Sequence, residues 1–336
     1  MLILVDAMGG DNAPKQIVNG CIDAVEESEG FDILLIGDGK QINEILKKRK
    51  YNKSRINIEH APDTINNDDI PTKSIRNKTE SSMVVGFNLL KEKKGDAFLS
   101  AGNSGALMAG ALFILGRIKG VDRPALATII PTRTGMSLLI DAGLNPICKP
   151  INYYQFGIMG SIYMQQFFNI PNPKVGLVNV GAEEKKGNIV IQQAFDLLGQ
   201  APINFIGNIE GRQIPLGEAD VIVCDGFVGN VLLKFLEGIG SFIKGTLKEM
   251  YSRNFLSKAS ALFVRKDLKK ISKRMDYEEY GGTPLLGVNG LVIKSHGSSS
   301  AKAIKNAVIK CSYFAKNCIT NQILEALNTK GVEGIV

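Results

Sequence analysis

Four segments of this sequence place small residues and hydrogen-bonding side chains directly after an apolar run. Asp6-Ala7-Met8-Gly9-Gly10-Asp11-Asn12-Ala13-Pro14 follows Leu2-Ile3-Leu4-Val5. Ser100-Ala101-Gly102-Asn103-Ser104-Gly105 ends the apolar run Ala97-Phe98-Leu99. Asn179 to Asn188 (Asn-Val-Gly-Ala-Glu-Glu-Lys-Lys-Gly-Asn) follows Val175-Gly176-Leu177-Val178, and Cys224-Asp225-Gly226-Phe227-Val228-Gly229-Asn230 follows Val221-Ile222-Val223. A buried strand, a tight turn and a helix start leave backbone N–H groups unpaired, and with the helix dipole they favour an anion. Glycines let a ligand approach the backbone closely. The Ser100–Gly105 segment carries this signal most fully, because Asn103 and Ser104 add side-chain donors and the apolar helix pattern Ala106 to Leu115 comes next. A plain strand-to-helix turn is the alternative reading. For Asp11 and Asn12 it is a helix N-cap, with Pro14 in the first turn.

Three further segments add polar groups. Arg76-Asn77-Lys78-Thr79-Glu80-Ser81-Ser82 precedes a helix pattern. It suits either phosphate contact through Lys78 and Ser81 or a solvated loop capped by Ser81. Asp141-Ala142-Gly143-Leu144-Asn145 ends another strand pattern, and Lys294-Ser295-His296-Gly297-Ser298 follows Leu291-Val292-Ile293. His296 is either an acid/base or anion donor, or a structural residue; His60 reads as structural. Chemistry from other sources is not visible. There is no nucleophile elbow, P-loop, zincin motif or dinucleotide-binding glycine pattern after the first strand. The five cysteines are widely spaced and odd in number, reading as reduced thiols, and two histidines give no basis for a metal site. We expect no metal and no cofactor. The chain offers anion loops without a protein nucleophile.

The elements that must position these loops alternate between near-continuous apolar strands and helical patterns. This predicts an α/β fold with a mainly parallel sheet covered on both faces, and ligands at the strands' carboxyl ends. We expect all four loops on one sheet edge. In 336 residues no linker interrupts the pattern, so we read one domain over 1–336. The composition, 44% hydrophobic and 22% charged, is that of a soluble globular protein, and no signal peptide is evident. The uncharged window between Asp96 and Arg117 is interrupted by glycines, Ser100, Asn103 and Ser104. Its apolar part falls short of the roughly 20 residues that a membrane span requires.

The net charge of +7 is concentrated in one place. Lys244 to Arg274 holds ten Lys/Arg residues against Glu249 and Asp267, so the remaining chain is near neutral. Within it Leu247, Met250, Tyr251, Asn254, Phe255, Lys258, Ala259 and Leu262 are spaced as one helical face, flanked by Arg253, Arg265 and Lys266. Such a basic amphipathic segment, at about 244–274, suits an anionic lipid surface or an acidic protein. A dimer-interface helix with solvated charges is the plainer reading. Nucleic acid is not expected, because no stacking aromatics or known motif accompany the charge.

Taken together, Val5 to Pro14, Ser100 to Met108, Leu115-Gly116-Arg117-Ile118-Lys119-Gly120-Val121-Asp122-Arg123-Pro124, Phe205 to Gly211, Val223 to Asn230 and His296 to Ser299 closely resemble the bacterial phosphate acyltransferase family of phospholipid synthesis, PlsX. The resemblance covers essentially the whole chain. It departs at Leu144, where the family run has a small residue, and at Ser104, where threonine is commoner. It implies a three-layer α/β/α fold similar to isocitrate/isopropylmalate dehydrogenases and phosphotransacetylase. It also implies a cytoplasmic homodimer in peripheral contact with the membrane. The implied reaction moves a long-chain acyl group from acyl carrier protein to inorganic phosphate, giving acyl phosphate that a glycerol-3-phosphate acyltransferase would consume. Phosphate then supplies the missing nucleophile. On this basis the expected catalytic residues are Asn230, Lys186 (or its neighbour Lys185) and His296. The expected phosphate or substrate contacts are Asp6, Gly9, Gly10, Lys78, Ser81, Asn103, Ser104, Gly105, Asp225 and Gly229. Arg253, Phe255, Leu262, Arg265 and Lys266 are expected at the membrane or carrier protein. The competing readings are an isopropylmalate-type NAD-dependent dehydrogenase and a non-catalytic phosphate-binding or membrane-scaffold protein.

Overall fold

The computed structural model describes residues 1–253 and 281–328 except 318, together with positions 257, 260, 264 and 266. Phe255, Leu262 and Arg265 lie outside the described residues.

The strands, in chain order, are β1 (Leu2–Asp6), β2 (Asp32–Gly37), β3 (Ile56–His60), β4 (Ala97–Ser100), β5 (Ala125–Thr132), β6 (Gly135–Ile140), β7 (Lys174–Val178), β8 (Asn204–Ile209), β9 (Val221–Val223), β10 (Thr283–Leu286) and β11 (Val292–Lys294). Among the described residues they form one eleven-stranded sheet in the order β3-β2-β1-β4-β11-β10-β5-β6-β9-β7-β8. Two parallel wings, β3-β2-β1-β4-β11 and β6-β9-β7-β8, are joined through an antiparallel centre. The centre exists because β5 and β6 are joined by only Arg133 and Thr134, a connection that permits antiparallel pairing alone.

The helices are α1 (Lys15–Glu27), α2 (Gly39–Leu46), α3 (Pro71–Asn77), α4 (Ser82–Lys91), α5 (Ser104–Gly110), α6 (Pro150–Phe168), α7 (Ile189–Gln200), α8 (Gly226–Ser252), α9 (Ala301–Lys316) and α10 (Ile319–Asn328). They cover both faces of the sheet. Ile3 and Val5 of β1 join a core with α1, α6, α7 and α9, while Leu4 between them joins the opposite core under α4 and α5. That alternation is the period-two geometry of a strand buried on both sides. A third cluster, around Leu139 and Ile222, is roofed by Val228, Leu232, Leu233 and Leu236 of α8. The mainly parallel, doubly covered sheet agrees with the sequence reading.

One expectation needs correction. The three antiparallel pairings reverse the strand sense, so the wing holding β6, β9 and β7 runs opposite to the wing holding β1, β4 and β11. The loops do not share one hydrogen-bonded edge. Sheet twist brings them back together. Six strand steps separate β1 from β9, and about −20 to −25° per step accumulates to roughly −120 to −150°. Opposed strands rotated that far end on the same side of the molecule. The packing agrees: Leu144, after β6, packs against the cluster under α5, and the charges of Lys234 and Glu237 on α8 reach His296 after β11.

The uncharged Asp96–Arg117 window is β4, a turn, and α5 extended by one wide helical turn over Ala111–Leu115, all packed into the protein. By length and composition α8 is apolar enough to cross a membrane, and little of it is buried. Phe227, Val231, Phe235 and Phe242 project from it; Phe242 is 69% exposed.

Candidate active site

The site is built on Asp6, the last residue of β1. Its carboxylate is buried and accepts hydrogen bonds from Ser82 Oγ and Ser100 Oγ, both at 2.6 Å, and from the Met8 N–H at 3.2 Å. Burial pushes this carboxyl above its usual range, against the pull of those hydrogen bonds. Ser100 Oγ in turn accepts from the Gly102 N–H at 3.0 Å. Asp6 therefore ties the ends of β1 and β4 to the start of α4. A side chain at Gly9 would lie 2.4 Å from Asp6 Oδ2 and 2.7 Å from Gly102 N, so only glycine fits there.

The loops after β1, β4 and β11 meet above this knot. The Asp11 N–H donates to the Gly297 carbonyl at 2.8 Å, and Asn12 Nδ2 donates to the Ser298 carbonyl at 3.1 Å. Neither residue caps α1, whose N-cap is Pro14. Asn103 is the N-cap of α5. Its Oδ1 accepts from Ala106 N at 3.0 Å, while its Nδ2 donates to the Asn67 carbonyl at 3.0 Å. The N–H groups of Ser104 and Gly105, the first two of α5, have no acceptor among the described residues, and Ser104 is exposed. These are the open donors that an anion would take.

His296 lies in the β11 loop of the same junction, within reach of the charges of Asp11 and Lys294. Its Nδ1 shares a 2.8 Å contact with Ser298 Oγ and accepts from Ser298 N at 3.2 Å. Burial lowers its pKa, and the charges of Lys234 and Lys294 lower it further, so the imidazole is neutral at neutral pH.

In the other wing, α8 starts at Gly226, directly after β9 and Asp225. Asp225 is its N-cap, accepting from Val228 N at 2.8 Å and from the Tyr153 hydroxyl at 3.1 Å. Gly226 N donates to the Asn145 carbonyl at 2.7 Å. A side chain at Gly229 would sit 1.8 Å from the Asp141 carbonyl oxygen, so this glycine serves helix-to-loop contact. Asn230 therefore lies within the helix. Its Cβ is 3.3 Å from where a side chain on Gly143 would stand, its amide is exposed, and no group among the described residues holds that amide. The loop under it is stiffened by Asp141, whose buried carboxylate accepts from the N–H groups of Leu126, Gly143, Leu144 and Asn145 and from Asn145 Nδ2. Burial raises this carboxyl too.

A model of the family described as "Fatty acid synthesis protein" matches residues 1–323. A phosphate acyltransferase from Acetivibrio thermocellus is 60% identical over 335 residues, spanning 100% of this chain and 99% of its own. One from Thermoanaerobacter pseudethanolicus is 50% identical over 333 residues, spanning 99% of each. The chain belongs to the phosphate acyltransferase (PlsX) family. Among solved structures, a phosphotransacetylase from Streptococcus pyogenes is similar in fold, with a TM-score of 0.64 at 15% identity and 94% of each chain covered. A phosphotransacetylase from Staphylococcus aureus gives a TM-score of 0.62 at 14% identity, also with 94% of each chain covered.

Within this acyltransferase the expected site residues divide. Asp6, Gly9, Gly10, Asn103, Ser104, Gly105 and His296 lie on the loops of the three-loop junction, and Asn230 stands exposed on α8 beside Gly143. Lys186 sits in the loop after β7, half exposed, with its amine 3.9 Å from Glu183 Oε1. That loop is pinned by Asn179 Nδ2 on the Lys186 carbonyl and Asn208 Nδ2 on the Glu183 carbonyl. Lys78, Ser81, Asp225 and Gly229 are engaged inside the protein instead. Lys78 Nζ is taken by Asp69 at 2.7 Å and the Thr64 carbonyl at 2.9 Å. Ser81 is fully buried, donating to the Lys78 carbonyl and accepting from Val84 N as the cap of α4. Of the basic-segment residues, Arg253 closes α8, and both it and Lys266 are exposed. His60 accepts from Gly39 N at 3.2 Å.

The sequence reading passed over three groups. Ser82 and Ser100 looked like helix-start and turn residues, although each is a ligand of Asp6. Lys294 reads from sequence as the first residue of the loop after Leu291-Val292-Ile293, although it is the last residue of β11. The signal available was a lysine closing an otherwise apolar strand directly before a Ser-His-Gly-Ser loop.

Proposed function

We propose that this protein transfers a long-chain acyl group from the thioester of acyl carrier protein to inorganic phosphate, for phospholipid synthesis. The observation that carries this reading is the pair of open N–H groups at Ser104 and Gly105, together with an Asn230 amide that is exposed and unengaged among the described residues. One partner can hold a phosphate and the other a carbonyl oxygen. A phosphate oxygen attacks the thioester carbon, forming a C–O bond and an oxyanion. Collapse of that tetrahedral species breaks the C–S bond, and the electron pair leaves with sulfur as the carrier's thiolate. No acyl-enzyme is required, which fits a cleft without an activated nucleophile. The protein contributes orientation and stabilisation of the developing charge.

In this scheme the α5 start and the Ser104 hydroxyl hold phosphate, and Asn230 donates to the thioester oxygen. Lys186 supplies positive charge at the cleft rim. Neutral His296, oriented by Ser298, holds the phosphate hydroxyl or accepts its proton. The reading includes an isocitrate/isopropylmalate dehydrogenase-like arrangement of the doubly covered sheet. It also includes a cytoplasmic homodimer in peripheral contact with the membrane, and a glycerol-3-phosphate acyltransferase as consumer of the product. The exposed apolar stripe of α8 supports the dimer and membrane parts, being the surface that a second copy or a lipid layer would cover.

The deciding experiment follows loss of acyl carrier protein thioester with and without phosphate, trapping acyl phosphate with hydroxylamine. Phosphate-dependent hydroxamate is expected. Phosphate binding without hydroxamate would leave the non-catalytic reading standing, and reduction of NAD with a hydroxy-acid substrate would favour the dehydrogenase.

A further inference from the structure

Lys294 ends β11 in register with Ser100 of β4. Its side chain turns under the β4–α5 turn, where Nζ donates to the Ala101 carbonyl at 3.4 Å and to the Ser295 carbonyl. The adjoining residues pack around the same carbonyl. A side chain at Gly10, whose φ is +105°, would stand 3.2 Å from Ala101 O and 2.9 Å from Gly297 O. The amine is thus half-buried where the β4–α5 turn meets the loop after β11. Among the described residues no carboxylate lies within ion-pair distance of it. The titratable groups that face it are Asp6 from β1, Asp11 from the β1–α1 loop and the neutral His296 from its own loop, with the charges of Lys234 and Glu237 of α8 beyond His296.

A withdrawn ammonium bonded only to neutral carbonyls is costly unless an anion completes it. An ammonium has three donors, and the two carbonyls account for two. The turn it holds leads directly into the open N–H groups of Ser104 and Gly105. Asp6 does not complete it: its oxygens accept from Ser82, Ser100 and Met8, and no ion pair within 4.0 Å joins it to the amine. We propose that Lys294 is the positioning residue of the phosphate site: its charged amine fixes the Ala101–Gly102 turn and supplies the counter-charge that a phosphate dianion at the α5 start requires. This inference rests on the proposed acyl transfer to phosphate. Burial lowers the Lys294 pKa to about 8, with Asp6 and Asp11 pulling the other way. The counter-charge is therefore present below that value and is lost as pH rises through it.

The test measures KM for phosphate and kcat against pH for the full chain as wild type, Lys294→Met and Lys294→Arg. In the wild type, KM for phosphate should climb above about pH 8. Lys294→Met should raise KM about tenfold or more at neutral pH and abolish the climb, with kcat at saturating phosphate changed by less than about threefold. Lys294→Arg should keep KM low and extend the flat region past about pH 9, because guanidinium stays charged. A Lys294→Met enzyme with the wild-type KM and the wild-type alkaline climb overturns the inference, as does a Lys294→Arg enzyme with the wild-type climb. Should Lys294→Met fail to fold, titration calorimetry of inorganic phosphate into wild type and Lys294→Arg at about pH 9 decides. Binding retained only by Lys294→Arg supports the role, and equal loss in both refutes it. Calorimetry also separates the two claims. A wild type that binds phosphate with this pH dependence but forms no acyl phosphate defeats the proposed reaction and leaves the role of Lys294 in place.

Discussion

Helices α5 and α8 each begin a short turn after a strand and each has its third N–H capped by a side chain, but they differ in the charge of that cap and in the fate of the first N–H. At α5 the cap is the neutral Asn103, which satisfies Ala106 N and leaves Ser104 N and Gly105 N open. At α8 the cap is Asp225, which brings a negative charge to Val228 N, while Gly226 N is taken by the Asn145 carbonyl. An anionic cap answers the helix dipole from within the protein; a neutral cap leaves that potential for a ligand. In the proposed reaction the anion therefore sits at α5, and α8 presents a side chain, Asn230. A glycine-rich turn before a helix is thus not enough to mark a phosphate site. The charge of the cap distinguishes the two.

The comparison can be broken most severely at the contact that seats α8. Gly229→Val places atoms against the Asp141 carbonyl, and we expect a loss of more than about 4 kcal/mol, read as collapse of the thermal transition. Gly105→Ala, which meets Pro71 Cγ at 2.7 Å, is the matching change at α5. It should lose about 1–3 kcal/mol. On function, Asn230→Ala should lower kcat about 100-fold and leave KM for phosphate within about twofold, in a protein of wild-type melting temperature. An unchanged kcat would remove Asn230 from the oxyanion role.

Exchanging the caps sharpens the contrast. Asn103→Asp gives α5 the anionic cap of α8 and should raise KM for phosphate about tenfold with little change in melting temperature. Asp225→Asn should do the reverse, leaving KM for phosphate unaltered and reducing stability by about 1 kcal/mol. Equal effects of both exchanges on KM would mean that phosphate does not discriminate between the two helix starts. The smallest effect lies beneath the α5 side. Because burial holds the Asp6 pKa above its unfolded value, its contribution to stability is complete below the unfolded pKa and is lost as pH rises through the folded one. Asp6→Asn should therefore flatten the dependence of unfolding free energy on pH upward from about pH 4, the unfolded value, measured by urea denaturation.

Much of this arrangement was legible from local pattern. The runs Leu2–Val5, Ala97–Leu99 and Val221–Val223 are strands, because continuous apolar residues between turns fit a doubly covered sheet. The turns after them hold the candidate site residues, as expected where ligands gather at strand ends. Other features were not legible. Asp225 and Asn103 occupy equivalent places in sequence, and only their surroundings show one sealing a helix against Tyr153 while the other leaves donors open. Lys78 and Ser81 had a phosphate-like context, yet Asp69, Thr64 and the α4 start take their polar atoms. Lys294 carried almost no local signal, because its importance depends on Ala101, 193 positions away.

By itself the sequence determined the layered α/β class, the family and the chemical character of the loops, since these follow from residue type, period and motif over short spans. The tertiary structure decided the direction of the two sheet wings and the twist that returns their loops to a common cleft. It also decided which polar groups remain open once the protein has satisfied its own. Those outcomes depend on strand pairing and on hydrogen bonds between segments far apart in the chain, and no local pattern of residues encodes them.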